Sequence, residues 1–197
     1  MRKLVLGVLV SGRGSNLQAI MDASAAGTLD AEVAVVVSDK PGALALRRIE
    51  ETDPRIPRVV VERNAYSTSE AFDDAMADVL DEHSVELVVL AGFMRILGPS
   101  FVRRFRGRIV NIHPSLLPSF PGLHAQGQAI SHGVKISGCT VHLVDESLDG
   151  GPILAQAAVP VLPGDTEDSL SERILKEEHR LLVGTIQEIC RGRVFNG

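Results

Sequence analysis

The chain has 197 residues, 45% of them hydrophobic, with 18 glycines, one tyrosine and no tryptophan. That length suits one domain with an aliphatic core, large enough to fold without disulfides or a structural metal. A formal net charge of -5 excludes a general attraction to polyanions, so nucleic-acid binding would need a local patch, for which Arg103, Arg104, Arg106 and Arg108 are the candidate.

The first apolar run, Leu4–Val10 behind Met1, Arg2 and Lys3, has the look of a short signal peptide, and Ala23-Ser24-Ala25 could serve as its cleavage site. Arg13, Gln18 and Asp22 interrupt that reading, and the run is only as long as one buried strand. Further strands are expected at 32–37, 58–61, 86–91 and 108–112, with helical spacing at 15–26, 42–52 and 68–83 between them. Such alternation predicts a parallel sheet covered by helices. After Pro118 the pattern changes to a helix at 124–132, longer strands at 137–144 and 153–161, and a last helix from 167 to 191 that stops at Gly192. No repeat or linker divides the chain, so both halves are expected to share one core. Cys139 and Cys190 lack metal-ligand or redox spacing and read as free thiols of a soluble cytoplasmic protein. No other apolar run approaches the length of a membrane span, so no membrane partner is expected.

The first strand leads into Ser11-Gly12-Arg13-Gly14-Ser15-Asn16 and then a helix. Glycines allow the tight turn, and free amides at the helix start suit a phosphate. A dinucleotide fingerprint fails, because Leu17 stands where its third glycine belongs and Asp39 comes one residue late for a ribose ligand. No Gly-Lys-Ser/Thr follows either, so the turn reads as a site for one phosphate on a small molecule, or as a purely structural turn.

The fifth strand ends in Asn111-Ile112-His113, and Pro114 stops it. Alternation sends the side chains at 111 and 113 to the same face, at the carboxyl end where open parallel sheets bind ligands. An amide donor beside a titratable ring suits a reaction in which a carbonyl oxygen gains charge while a proton moves. The plain alternative is a turn cap and a loop-filling histidine. Between the late strands lies Val144-Asp145-Glu146-Ser147-Leu148-Asp149-Gly150-Gly151-Pro152. A carboxylate from this loop could stabilise a charged His113, and Asp149 is the choice because the glycines after it permit close backbone approach. Metal binding by His142, Asp145 and Glu146 is a weaker alternative, since the spacing is not that of a calcium loop and no metal is expected. Ser115 lacks a second histidine to activate it as a nucleophile, and Ser11 belongs to the turn. His83, His132 and His142 read as architectural, while His124 and His179 lie next to proposed site segments.

Ser-Gly-Arg-Gly-Ser-Asn at 11–16, Ala-Gly-Phe-Met-Arg-Ile-Leu at 91–97, Asn-Ile-His-Pro-Ser-Leu-Leu-Pro at 111–118 and Leu-Asp-Gly-Gly-Pro at 148–152 together closely resemble the phosphoribosylglycinamide formyltransferases of purine biosynthesis. The likeness covers nearly the whole chain. It implies an α/β fold, one formyltransferase domain over 1–197 with a mostly parallel twisted sheet and helices on both faces. A Rossmann-like half at 1–110 would bind the ribonucleotide phosphate, and 111–197 would carry catalysis and folate binding. The implied substrates are glycinamide ribonucleotide and the co-substrate 10-formyltetrahydrofolate. By resemblance Gly14, Ser15, Asn16 and Glu178 meet the ribonucleotide. Met94, Arg95, Ile96 and Leu97, with Asp145, Glu146, Ser147, Leu148 and Asp149, resemble the lining of the folate pocket, which Asn111 also touches. Asn111, His113 and Asp149 are the implied catalytic trio. The chain departs from the family at Ser69, where an arginine would meet the folate glutamate, and Arg63 is the substitute at hand.

Formyltetrahydrofolate deformylase, which uses water in place of the amine, is the nearest rival; that family usually has a regulatory domain ahead of the catalytic one, and here the first strand begins at residue 3 or 4. Methionyl-tRNA formyltransferase would want an added C-terminal domain and a basic surface, which this acidic chain is not expected to have. From other classes, a phosphate-ligand binding module or a nicotinamide oxidoreductase has only the first turn in its favour. Small molecules are the expected partners, with no nucleic acid, and a homodimer is left open.

Overall fold

A computed structural model of the protein describes residues 2–192. Internal contacts group the chain into two units, divided between Val110 and Asn111. The first holds β1 (Leu4–Val10), α1 (Ser15–Ala25), β2 (Ala31–Ser38), α2 (Leu44–Thr52), β3 (Arg58–Val60), a 3-10 turn at Arg63–Ala65, α3 (Ser69–Glu82), β4 (Leu87–Leu90) and α4 (Pro99–Arg104). β1 pairs in parallel with β2 on one side and β4 on the other, and β2 pairs in parallel with β3. A strand flanked on both sides and covered on both faces must be apolar throughout, which is why Leu6, Val8, Leu9 and Val10 show no alternation and are all fully buried. Gly7 breaks the run for a steric reason: a Cβ there would stand 2.4 Å from the Leu80 side chain of α3.

The chain leaves β1 toward β2 and β3, then returns to the opposite side of β1 as β4. The strand order therefore reverses between β1 and β4, the place where open parallel sheets bind ligands beyond their carboxyl ends. Two short contacts join the segments that emerge there. Ser11 N donates to the Gly92 carbonyl at 3.1 Å, and Met94 N donates to Ser11 Oγ at 2.9 Å.

β5 (Ile109–His113) begins before the division and ends after it. The second unit continues with α5 (Ala125–Ser131), β6 (Ile136–Leu143), β7 (Ile153–Pro160) and α6 (Glu167–Cys190). β6 and β7 are antiparallel, with a register slip between Val141 and His142. α6 opens on a reciprocal cap, in which Thr166 Oγ1 accepts from Ser169 N and Ser169 Oγ accepts from Thr166 N. Its buried Leu170, Ile174, Leu182 and Ile186 recur at four- and eight-residue spacing, so one stripe of the helix packs on β6 and β7. Among the described residues the strands follow the order β3-β2-β1-β4-β5-β6-β7, a mostly parallel α/β sheet as the sequence alternation predicts. None of the described helices is long and apolar enough to cross a membrane.

α4 is the element that periodicity missed, apart from the arginines that mark its end. Six residues make less than two turns, too few for a helical repeat to show, and Pro99 at the first position is the sign of its start. Arg104 donates to Asp78 and Asp81, and Arg108 lies over the Phe105 ring and donates to the Arg104 and Val85 carbonyls. The basic cluster thus spends much of its charge on the chain's own acceptors.

Candidate active site

In the second unit four polar side chains converge. Asn111 and His113 leave β5 on the same face, His142 comes from β6, and Asp149 comes from the loop that follows β6. His113 is 5% exposed, and both of its ring nitrogens are engaged. Nε2 donates to the Phe120 carbonyl at 2.9 Å, and Nδ1 lies 3.4 Å from Asp149 Oδ2. Those two neighbours are acceptors, so each can take a hydrogen from the ring. Asp149 Oδ2 also accepts from Gly122 N at 2.8 Å, while its Oδ1 stands 3.7 Å from His142 Nε2.

Backbone geometry puts Asp149 there. Its φ of 49° is left-handed, a conformation in which Asp is among the few tolerated side chains. At Gly151 a Cβ would fall 2.0 Å from the Leu143 carbonyl oxygen, so only glycine lets the loop return to the strand so closely. Asp145, the other early acid of the loop, is occupied locally. It accepts from Ser147 N and Ser147 Oγ, and the hydroxyl contact is the main reason its carboxyl is held below the usual range.

Ser115 is fully buried and donates to the Ser119 and Phe120 carbonyls, so its hydroxyl shapes the loop after β5 and is not presented as a nucleophile. Thr140 Oγ1 secures the same loop by donating to the Ser115 carbonyl and accepting from Leu117 N.

In the first unit, the turn after β1 leads straight into α1. Gly14 has φ 74°, and a Cβ on it would lie 2.5 Å from the Ala45 Cβ of α2. No other residue fits, so Ser15 and Asn16 enter α1 directly from a left-handed glycine. The segment after β4 presents Met94 at 59% and Ile96 at 79% exposure, whereas Leu97 is buried and Arg95 lies over the Phe72 ring. Two large apolar side chains held in the open by a fixed backbone suit an aromatic ligand face.

The model of the formyl transferase family matches residues 3–186. The chain belongs to that family. Among its relatives, the phosphoribosylglycinamide formyltransferase of Escherichia coli (strain K12) is 42% identical over 187 residues, covering 95% of this chain and 87% of that protein. The trifunctional purine biosynthetic protein adenosine-3 of Drosophila melanogaster is 52% identical over 180 residues, 90% of this chain. The chain spans only 13% of that longer relative. In the crystal structure of glycinamide ribonucleotide transformylase 1 from Symbiobacterium toebii the same fold recurs with a TM-score of 0.94 at 48% identity, covering 98% of this chain and 90% of that one.

Glu178 is buried on α6, and with Glu177 it adds negative charge near Cys139. Burial first, and those carboxylates second, push the Cys139 thiol up to about 12, which keeps it protonated and unreactive. Ser69 opens α3, and its Oγ accepts from Arg63 Nη2 of the 3-10 turn at 3.2 Å. His124 Nδ1 lies 3.3 Å from Glu167, on an exposed surface. His142 is the residue that sequence reasoning set aside: alternation in β6 points it inward, and nothing in one sequence says that inward means toward Asn111 and Asp149.

Proposed function

We propose that the protein transfers the formyl group of 10-formyltetrahydrofolate to the primary amine of phosphoribosylglycinamide, a step of de novo purine biosynthesis, and that it does so in the cytoplasm. The observation that carries the chemistry is the pairing of His113 with Asp149, to which Asn111 is joined through His142. The choice of substrate is supported by identity of 42% to a bacterial phosphoribosylglycinamide formyltransferase of nearly the same length.

In this reading the turn at Gly14, Ser15 and Asn16 holds the ribonucleotide phosphate, and Glu178 meets the glycinamide end. Met94 to Leu97 and the loop from Asp145 to Asp149 line the pterin site. The donor's glutamate carboxylate meets Arg63, which here serves in place of an arginine at position 69. The amine attacks the formyl carbon directly; a carbon–nitrogen bond forms as the carbonyl becomes an oxyanion. Asn111 and His113 donate to that oxygen, an interaction whose loss costs about 2.7–4 kcal/mol per donor. His113 can reach it by exchanging one contact, and the Phe120 carbonyl is the one to give up. The Asp149 contact is strengthened by charge, whereas Phe120 is held at φ 53°, a strained conformation for a bulky residue. Collapse breaks the bond to the folate nitrogen, which takes up the proton released from the amine, relayed by His113. Asp149 keeps the ring oriented while His113 gives a proton to the folate nitrogen and regains one from the amine.

A spectroscopic assay of folate release, run with and without the ribonucleotide, tests the proposal. Release that depends on the ribonucleotide and yields the formylated product is expected. Equal release without it would make the protein a deformylase.

A further inference from the structure

His142 is 2% exposed, and the reaction above makes no use of it. Its two ring nitrogens face different partners. Nδ1 lies 2.9 Å from the Leu143 carbonyl oxygen, which can only accept, so Nδ1 carries the hydrogen. In the neutral ring Nε2 is then a lone pair, and Asn111 Nδ2 stands 3.1 Å from it. The carbonyl end of the amide would set two acceptors against each other, so only the NH2 end can face the ring. One of the two orientations of Asn111 is thereby selected. One of its N–H groups is spent on His142, and the second is left for a substrate oxygen.

The charges around the ring bear on which form it takes. Burial is the main influence and pushes His142 below the ordinary histidine value, and His113 acts in the same direction. The Leu143 carbonyl, Asp149 and Asp145 oppose them. A second proton would convert Nε2 from acceptor to donor, with Asp149 Oδ1 only 3.7 Å away to receive it. Asn111 would then face a donor with its own donor and would have to turn. Only the neutral ring leaves Asn111 able to stabilise an oxyanion.

We propose that His142 is a positioning residue for formyl transfer: its neutral, Nδ1-protonated ring holds the Asn111 amide in the orientation that donates to the oxyanion. This rests on the role given to Asn111 above. Three variants of the full chain separate it from a packing role. His142→Leu keeps bulk and removes the acceptor, His142→Gln places an amide oxygen near the position of Nε2, and Asn111→Ala removes the group being positioned. Loss of a properly aimed donor predicts that His142→Leu lowers kcat by about 100-fold with little change in either KM. His142→Gln should recover most of that loss. Because His142 acts through Asn111, the double variant should be no slower than Asn111→Ala alone. Imidazole 15N spectra, which need no activity, should show one protonated and one lone-pair nitrogen for His142, with the latter shifting in Asn111→Ala. A wild-type kcat in His142→Leu, multiplicative losses in the double variant, or an Nε2-protonated His142 would each overturn the proposal. If His142→Leu does not fold, His142→Gln and the spectra decide. A wild-type protein without ribonucleotide-dependent transfer would overturn the functional reading alone, since the spectra test the contact independently.

Discussion

Asp149 stands between two imidazoles, and their surroundings divide the work between them. His113 has an acceptor at each nitrogen, so both of its nitrogens can donate. His142 is kept neutral chiefly by burial, with a carbonyl at one nitrogen and an amide donor at the other. The two like groups thus differ: His142 is a fixed neutral acceptor toward Asn111, while His113 faces only acceptors. It follows that removing the charge and removing the ring should both be costly to turnover. In the proposed mechanism His113→Ala deletes a donor to the oxyanion, and Asp149→Asn keeps an oxygen for Gly122 N while cancelling the charge beside the His113 ring. Each variant is expected to lose about 100- to 1,000-fold in kcat. Affinity for the ribonucleotide, measured by calorimetry, should stay close to wild type. Near-normal single-turnover rates in either would remove these residues from the chemistry. Asn111 and His113 were legible in the sequence because a strand has a strict period of two and Pro114 ends it. Asp149 was legible because the glycines after it predict close backbone approach, and Gly151 is tight against the Leu143 carbonyl for that reason. The partners of His142 were not legible, because alternation fixes the face of a residue but not what a neighbouring strand sets beside it.

At the scale of elements, the segment after β4 is fixed from outside itself. Ser11 Oγ holds Met94 N, the Phe72 ring carries Arg95, and Asp73 Oδ2 accepts from Gly98 N at 2.7 Å. Phe72 and Asp73 are neighbours in the first half of α3, so one helix sets the far end of the segment whose Met94 and Ile96 stand exposed. Gly98 leaves no room for error, since a Cβ there would lie 2.7 Å from the same Asp73 oxygen. Asp73 is 3% exposed, and burial, reinforced by Asp74, raises its carboxyl above the usual range against Gly98 N, Arg95 and Arg63. The sign matters for pH. A carboxyl raised in the folded state costs stability above its folded value, and that cost is relieved as pH falls through it. A protonated carboxyl still offers its carbonyl oxygen to Gly98 N, so acid does not cut this tether. Asp73→Asn should therefore behave nearly as wild type. Asp73→Ala leaves a buried N–H without its acceptor, at a cost of about 1–3 kcal/mol. The expected result is a raised KM for the formyl donor with the ribonucleotide KM little changed, and faster amide hydrogen exchange over 94–98. Equal changes in both KM values would mean that Asp73 serves general folding and not this segment. Helical spacing made α3 visible in the sequence. A side-chain contact 25 residues away has no periodic signature, and neither has a helix as short as α4.

At the scale of the whole molecule, the order of strands and helices follows from composition and period, because buried parallel strands and helices with one apolar stripe leave distinct patterns in one dimension. The strand order β3-β2-β1-β4-β5-β6-β7 does not, since it depends on crossovers that the sequence leaves unspecified. Nor does the way the longest helix is started, which bears on stability across pH. Before α6, the Asp165 carboxylate accepts from Leu162 N at 2.7 Å, Ser169 Oγ at 2.8 Å and both terminal nitrogens of Arg173 at 2.7 and 2.9 Å. Arg173, first among these, holds its carboxyl far below the ordinary value of 3.8. A carboxyl lowered in the folded state contributes stability that is complete above its unfolded value and is lost as pH falls from there through the folded one. The contribution is thus intact at neutral pH and through mild acid, and it fades only in strong acid. Asp165→Asn should lower the urea midpoint equally near about pH 7 and about pH 5, where the wild-type carboxylate is ionised in both states. Its difference from wild type should shrink steadily below the ordinary carboxyl range, as the unfolded chain gains a proton that the folded chain resists. A midpoint difference that stays constant into strong acid would mean that Asp165 acts through its shape in the loop before α6, and that the charge on Arg173 adds nothing.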